Sequence, residues 1–75
     1  MRGKKTFLKL RGVLVEYDMT IEELGRRIGR SKPHMSNLFR GATSWELWEM
    51  YAVMDLLRIP YERMHEYFPK NGIAA

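Results

Sequence analysis

The chain is short, carries a modest excess of positive charge and contains no cysteine. Its 75 residues include 13 Lys or Arg and 9 Asp or Glu, a net charge of +4. This length suits one domain with one core, and an apolar fraction of 45% argues against intrinsic disorder. No apolar run nears the roughly 20 residues of a membrane span, and no signal-peptide or disulfide pattern is present, so a cytoplasmic protein is expected.

The first helix is predicted from about Thr6 to Tyr17, where apolar residues recur at helical spacing. Its expected buried stripe is Phe7, Leu10, Val13, Leu14 and Tyr17. Thr20 and Glu23 have the spacing of a capping box, in which each side chain binds the other residue's backbone N–H. This pair predicts that a second helix begins after Thr20.

The second helix is closely followed by a third. Gly29 suits the left-handed turn that ends a helix, and Ser31 is an N-cap residue type. The third helix is predicted from Lys32 to Phe39 or Arg40, with Pro33 tolerated in its first turn. The two helices have short buried stripes, which comprise Leu24, Ile28, Met35 and Leu38. Residues 20–41 therefore predict two short helices joined by a tight turn.

The fourth helix is predicted to begin after Thr43, which forms a second possible capping box with Glu46, and to reach about Leu57. Its expected buried stripe is Leu47, Met50, Val53, Met54 and Leu57. Pro60 prevents continuation.

A short fifth helix is predicted from Tyr61 to Tyr67, and no segment predicts a strand. The expected fold class is therefore all-α. The chain should form a single compact five-helix domain over residues 1–75, with an ordered core at about 6–68 and a frayed tail at 70–75.

Positive charge is concentrated in the half that holds the central helix pair. Residues 1–43 carry a net charge of +6, whereas residues 44–75 carry −2. A concentrated positive field attracts phosphates, so its coincidence with the helix pair favours nucleic acid as the partner.

Residues 20–41 resemble the helix-turn-helix of the phage repressor and Cro family of DNA-binding domains. The residues that match in register are Thr20, Leu24, Ile28, Gly29, Ser31, Met35, Leu38 and Gly41. Looser similarity extends from about Phe7 to Phe68, and the chain end resembles small phage-associated members. The chain departs from the family at Ile21, where a phosphate-binding Gln is usual, and at Gly25, where Ala is common. The resemblance implies a repressor-like fold in which helices 2 and 3 form the helix-turn-helix.

The resemblance also implies that the start of the third helix enters the DNA major groove. By position, the expected base-reading residues are Lys32, Pro33, Ser36 and Asn37. Asn37 suits the N6/N7 edge of adenine, whereas Lys32 suits either guanine or a phosphate. Pro33 can at most pack against a thymine methyl group. The alternative is that Ser36 and Asn37 are simply solvated.

Phosphate contacts are expected around the third helix, at Thr20, Arg30, Ser31, His34, Arg40 and Thr43. Helix starts offer free backbone donors to anions, and the loop after Arg40 is where family members usually meet the DNA backbone. Adjacent Arg26 and Arg27 cannot both face DNA, so one is expected to be solvated or paired with Glu22 or Glu23. Lys4 and Lys5 form either a loose basic arm or a disordered end.

Two aromatic residues of the fourth helix, Trp48 and Tyr51, lie off its predicted buried stripe. They form a second apolar patch that suits a homodimer interface, whereas Trp45 and Phe68 are expected in the core. A dimer would hold two reading helices about 34 Å apart and would require a near-palindromic operator.

Catalysis is not expected, because the chain has no Cys nucleophile, glycine-rich phosphate loop or paired carboxylates. His34 and His65 lack metal-ligand spacing, and neither a cofactor nor a small-molecule ligand is expected.

The favoured function is sequence-specific binding of double-stranded DNA by a small transcriptional regulator, a repressor of phage or mobile-element type that is nucleoid-associated when bound. The alternative is a protein-interaction adaptor that reads no DNA, which the apolar residues Ile21 and Pro33 favour.

Overall fold

The computed structural model describes residues 6–70, and all regular structure within that range is helical. The helices are α1 (Leu8–Glu16), α2 (Ile21–Ile28), α3 (Lys32–Arg40), α4 (Leu47–Leu57) and α5 (Met64–Tyr67), with a 3₁₀ turn at Tyr61–Arg63 before α5. The predicted all-α class is therefore confirmed. Over residues 6–70 no helix has the length and apolar character needed to cross a membrane. The predicted basic arm at Lys4 and Lys5 and residues 71–75 of the predicted tail lie outside the described residues.

The starts of α2 and α3 are fixed by local hydrogen bonds, as their sequences predict. The Thr20 hydroxyl accepts from the Glu23 backbone N–H at 3.0 Å, and the Glu23 carboxylate accepts from the Thr20 N–H at 2.9 Å. At the next helix the Ser31 hydroxyl accepts from the His34 N–H at 3.3 Å. Between the helices Gly29 has a left-handed φ of 84°. Together these contacts produce the predicted turn between two short helices.

The core is one apolar cluster to which all five helices or their flanking residues contribute. Full burial of one large apolar side chain contributes about 1.5–3 kcal/mol, so this cluster is the main source of stability in a chain without cysteine. The buried members are Phe7, Leu10, Leu14, Leu24, Met35, Leu38, Phe39, Val53, Met54, Leu57, Ile59 and Tyr67.

A four-ring cluster, Phe7, Phe39, Trp45 and Phe68, forms one end of the core. The Trp45 ring centroid lies 5.9 Å from that of Phe7, 5.5 Å from Phe39 and 4.8 Å from Phe68, in each case edge to face. This geometry is favourable beyond the area that it buries. Trp45 and Phe68 are partly buried against the core, in agreement with their predicted packing role.

Helix α1 is shorter than predicted at both ends. It begins at Leu8 because Phe7 adopts a left-handed φ of 55°, which turns the Phe7 ring into the four-ring cluster. It ends at Glu16, so Tyr17 no longer follows the buried stripe and is 44% exposed. The prediction of a buried Tyr17 was wrong, although its hydroxyl donates to the Leu57 carbonyl at 2.8 Å.

The capping box predicted at Thr43 and Glu46 is wrong. The backbone N–H groups of Ala42 and Thr43 instead donate to the Asn37 carbonyl, at 2.9 and 3.5 Å, and so belong to the end of α3. Helix α4 begins later, at Leu47, with Glu46 as its N-cap.

The inward face of α4 also differs from its prediction, because its first turn directs Glu49 inward. Glu49 is fully buried, whereas Leu47, predicted to be buried, is 56% exposed. The predicted fifth helix is divided, since Tyr61–Arg63 forms a 3₁₀ turn and only Met64–Tyr67 is α-helical.

Candidate nucleic-acid interface

Helix α3 has one buried face and one outward face. Met35, Leu38 and Phe39 are buried in the core. The predicted base-reading residues lie on the outward face together with Arg40. At 100° per residue they occupy an arc of about 140°. The five residues of the outward face are Lys32, Pro33, Ser36, Asn37 and Arg40. Asn37 is partly buried, and the other four are exposed. The structure thus brings the four predicted base-reading residues onto one surface.

Asn37 is linked to two groups at the end of α3. Its side-chain oxygen accepts a hydrogen bond from the Arg40 guanidinium, and its backbone carbonyl accepts from the Ala42 N–H at 2.9 Å. Arginine has five N–H donors, so the bond to Asn37 leaves Arg40 with donors for an anion. Asn37 and Arg40 therefore form a connected pair on the outward face.

Lys32 lies near the acidic start of α2. Its Nζ is 3.9 Å from a Glu22 oxygen, and the other Glu22 oxygen is 3.7 Å from the Arg26 guanidinium. The Lys32 side chain is 73% exposed, and such exposed pairs are weak. Lys32 therefore remains accessible to DNA, while the expected pairing of one arginine is met by Arg26 and Glu22.

The hydroxyls of Thr20 and Ser31 already accept the capping hydrogen bonds of their helices. In addition, the Thr20 O–H donates to a Glu23 carboxylate oxygen at 3.3 Å, whereas the Ser31 O–H can still be donated to an anion. Thr20, Ser31 and Thr43 are all exposed, so the three predicted hydroxyl contacts to phosphate are sterically accessible.

The Thr20 N–H and hydroxyl, together with Arg26 and Arg27, hold the pKa of Glu23 below its ordinary value of 4.5 against a smaller effect of burial. Glu23 is thus an ionised capping residue.

Glu49 joins α4 to the turn and to the start of α3. One carboxylate oxygen accepts from Arg30 Nε at 2.7 Å and from His34 Nε2 at 2.8 Å. The other oxygen accepts from the Glu46 backbone N–H at 2.7 Å. The Arg30 guanidinium also lies 4.9 Å from the centroid of the Trp48 ring, within cation–π distance. We call Glu49, Arg30, His34 and Trp48 the Glu49 cluster.

Glu49 is held in its charged form by these donors. Its burial alone would raise the pKa, but hydrogen bonds from Glu46, His34 and Arg30 outweigh that effect and lower the pKa below 4.5. The predicted phosphate-binding residues Arg30 and His34 therefore each use a donor inside the protein. Their side chains remain 32% exposed, which leaves part of each at the surface.

Sequence reasoning did not identify Glu49 as a buried residue. Its position four residues before Val53 and eight before Leu57 places it on the buried stripe of α4, and this spacing was the available signal. Its partners Arg30 and His34 lie 19 and 15 residues away in the chain. That pairing has no sequence signature.

Four exposed large side chains lie along α4 and the 3₁₀ turn that follows it. The Tyr51 and Tyr61 ring centroids are 4.8 Å apart and edge to face, and the Tyr61 hydroxyl donates to the Asp55 carboxylate. Trp48 is 48% exposed and Tyr51 37%, so both predicted interface residues are at the surface. The set, here called the apolar patch, comprises Leu47, Trp48, Tyr51 and Tyr61.

Neither a grouping of metal ligands in the described part of the chain nor a known relative indicates the chemistry of this protein. Over residues 6–70 no three His, Cys, Asp or Glu side chains are grouped in a way that could hold a metal ion. Comparison of the chain with models of protein families, with curated proteins and with solved structures finds no match. The basis for a functional assignment is therefore the chain's own residues and their geometry.

Proposed function

We propose that this protein binds double-stranded DNA sequence-specifically and acts as a small transcriptional regulator. In this proposal α2, the Gly29 turn and α3 form a helix-turn-helix, and α3 is the reading helix. The observation that carries the proposal is the outward face of α3, which presents Lys32, Ser36, Asn37 and Arg40 from a helix whose other face is buried. This face also belongs to the positively charged half of the chain.

Base reading would come from the outward face of α3. When its amide is turned toward adenine, Asn37 can donate a hydrogen bond to N7 and accept one from the N6 amino group. This bidentate contact is the one most typical of Asn. Lys32, at the first position of α3, can reach acceptors of guanine or a phosphate. Ser36 can bind base or phosphate, and Pro33 can pack against a thymine methyl group.

Phosphate contacts would flank α3 on both sides. The capped starts of α2 and α3, at Thr20 and Ser31, direct backbone N–H groups and the positive ends of two helix dipoles toward the exterior. Arg40 and Thr43 lie at the opposite end of α3, and both are exposed. Arg30 and His34 would contribute the donors that Glu49 leaves unused.

The apolar patch supports a homodimer as the DNA-binding form. A large aromatic side chain has an area of roughly 150–250 Å², so Trp48, Tyr51 and Tyr61 at their observed exposures present on the order of 300 Å². Apolar patches of that size often mark interaction surfaces. A two-fold dimer would read two half-sites about one helical turn, 34 Å, apart. Such a dimer would act in the cytoplasm and repress a promoter by occluding it from polymerase.

The adaptor alternative gains less support from the structure than from the sequence. Ile21 is partly buried and packs against the core, so its apolar character is explained by packing rather than by a protein partner. Pro33 is exposed at the start of α3 and is the observation that still favours an adaptor. Tight binding to a protein, without affinity for duplex DNA, would identify that function.

In vitro selection from random duplexes tests the proposal. The purified protein should enrich a defined motif, and a two-fold-symmetric motif would identify a dimeric regulator, whereas a short asymmetric motif would indicate a monomer. The matched control is the Lys32→Ala, Asn37→Ala double variant, which keeps the core and should lose the motif while still binding duplexes at low salt. Failure of the wild-type protein to enrich any sequence, even at low salt, would reject DNA reading in favour of the adaptor.

A further inference from the structure

Glu49 is a buried charge whose presence has no explanation in core packing. Its exposure is 0%, and within residues 6–70 no other charged side chain falls in the buried class. Removing a carboxylate from water is costly, and an apolar residue of similar size is often equal or better for stability at such a site. Apolar residues surround this position on α4, so core packing alone does not account for Glu49.

The donors that satisfy Glu49 come from both sides of the start of α3. Arg30 precedes the Ser31 cap, and His34 lies in the first turn, so one carboxylate oxygen binds residues on either side of Lys32 and Pro33. The other oxygen is fixed by the Glu46 N–H at the start of α4. The carboxylate thus connects the first turn of α4 to the first turn of α3.

The far end of α3 is anchored by a different contact. The Arg11 guanidinium of α1 donates to the Phe39 carbonyl at 3.0 Å and lies 5.4 Å from the Phe39 ring centroid. Helix α3 is consequently held at its beginning by Glu49 and at its end by α1. The beginning is the end from which Lys32 and Pro33 project.

We propose that Glu49 is the positioning residue of the reading helix, and that it sets the orientation in which α3 meets base pairs. This proposal rests on the proposed DNA-binding function. Base-edge hydrogen bonds require close alignment of donor and acceptor, whereas attraction to phosphates tolerates small displacements of a charge. Loss of the Glu49 anchor should therefore reduce specific binding much more than nonspecific binding.

The test compares Glu49→Gln with Glu16→Gln, each measured on the selected site and on a random duplex of equal length. Both substitutions remove one negative charge, but Glu16 is exposed at the end of α1. A glutamine at 49 retains the shape yet offers one acceptor oxygen in place of two. Glu49→Gln should lower the ratio of specific to random affinity roughly ten- to hundredfold, the range for loss of one or two base contacts. Glu16→Gln should leave that ratio within about twofold, since the affected charge lies outside the reading surface.

The ratio separates positioning from partial unfolding, because an unfolded fraction lowers both affinities equally. An unchanged ratio, or an equal fall on both duplexes, would overturn the positioning role. Amide hydrogen exchange of the free protein gives a second measurement that needs no DNA. Exchange at residues 35–37 should accelerate relative to residues 53–57 in Glu49→Gln, and an equal change in both segments would also overturn the proposal. Lack of any duplex binding by the wild-type protein would instead reject the proposed function. The exchange measurements would still show whether Glu49 holds the start of α3 in place.

Discussion

Gly25 lies so close to Met35 that the space between α2 and α3 accommodates no side chain at position 25. A Cβ atom placed on Gly25 would lie 2.5 Å from Met35 Cγ and 2.9 Å from the Arg30 carbonyl oxygen. Both the carbon–carbon and the carbon–oxygen distance are shorter than the contacts that a Cβ atom makes in folded proteins. Alanine, common at the corresponding position of the family that residues 20–41 resemble, would therefore force the turn and α3 to move.

Gly25→Ala should destabilise the protein even though alanine favours helices. Overpacking of this kind typically costs about 1–3 kcal/mol, which exceeds the roughly 1 kcal/mol gained in helix propensity. The matched control is Gly12→Ala in α1, where a Cβ would meet nothing within 4 Å. That change should raise the free energy of unfolding by about 0.5–1 kcal/mol. Urea denaturation measures the free energy of unfolding of both variants. A Gly25→Ala protein that is more stable than the wild type would contradict the close contact.

Asn37→Ala should relax the preference for one base of the selected site. The expected cost is about 1–3 kcal/mol on that site, because the amide is the proposed partner of a base edge. Affinity for a random duplex should change little and serves as the control. Equal losses on the specific and random duplexes, measured by titration at fixed salt, would remove Asn37 from the reading surface.

Arg40→Ala should weaken binding to all duplexes to a similar degree. Loss of one phosphate contact lowers the slope of log affinity against log salt by about one, so a salt titration provides the measurement. Arg58→Gly is a suitable control because it removes the same charge from the acidic half and fits the left-handed φ of 60° at that position. The phosphate role would be excluded if both variants had the wild-type slope.

The contribution of Glu66 to stability should disappear in acid. Hydrogen bonds from Arg63 and then Lys9, at 2.8 and 2.7 Å, lower the pKa of Glu66 from 4.5 to about 2. Because this pKa is depressed in the folded protein, the stabilisation is fully present above pH 4.5 and is lost as the pH falls toward 2. Urea midpoints of the wild-type protein and Glu66→Gln should therefore converge over that interval. A difference that stays constant with pH would show that the ion pairs add nothing.

Tyr51→Glu should disrupt the proposed homodimer by placing a charge in the apolar patch. Burial of an unpaired carboxylate costs more than 1.4 kcal/mol, so the dimer dissociation constant should rise at least about tenfold. Val15→Glu is the control, since Val15 is 77% exposed on α1 and lies outside the patch. Sedimentation equilibrium measures the dimer dissociation constant of each variant. Equal association of both variants would place the interface elsewhere, and a wild-type protein that remains monomeric would exclude the dimer.

The features that sequence reasoning predicted correctly depend on contacts between near neighbours. The Thr20 capping box and the Ser31 cap each join residues three positions apart, and Gly29 needs only its own backbone freedom. For this reason the ends of α2 and α3 could be predicted from residue types and spacing. The outward face of α3 followed from the same helical period.

The features that sequence reasoning missed depend on distant partners. Thr43 fits a capping box by residue type, but its N–H lies against the Asn37 carbonyl, a contact that exists only after α3 has ended. Glu49 is buried because Arg30 and His34 approach it from another part of the fold. Residue types alone would place a glutamate in the first turn of a helix at the surface, so the link from Glu49 to the start of α3 became apparent only in the folded structure.

The four-ring cluster joins the two ends of the described chain to the end of α3. Its rings come from residues 7, 39, 45 and 68, which span nearly the whole described chain. Neither the first helix nor the last can detach without opening the cluster, and Phe39 would transmit that loss directly to α3. Fraying at either end of the chain is thereby coupled to the packing of α3, so proteolytic trimming into the cluster should weaken the proposed DNA binding without removing any residue of the outward face of α3.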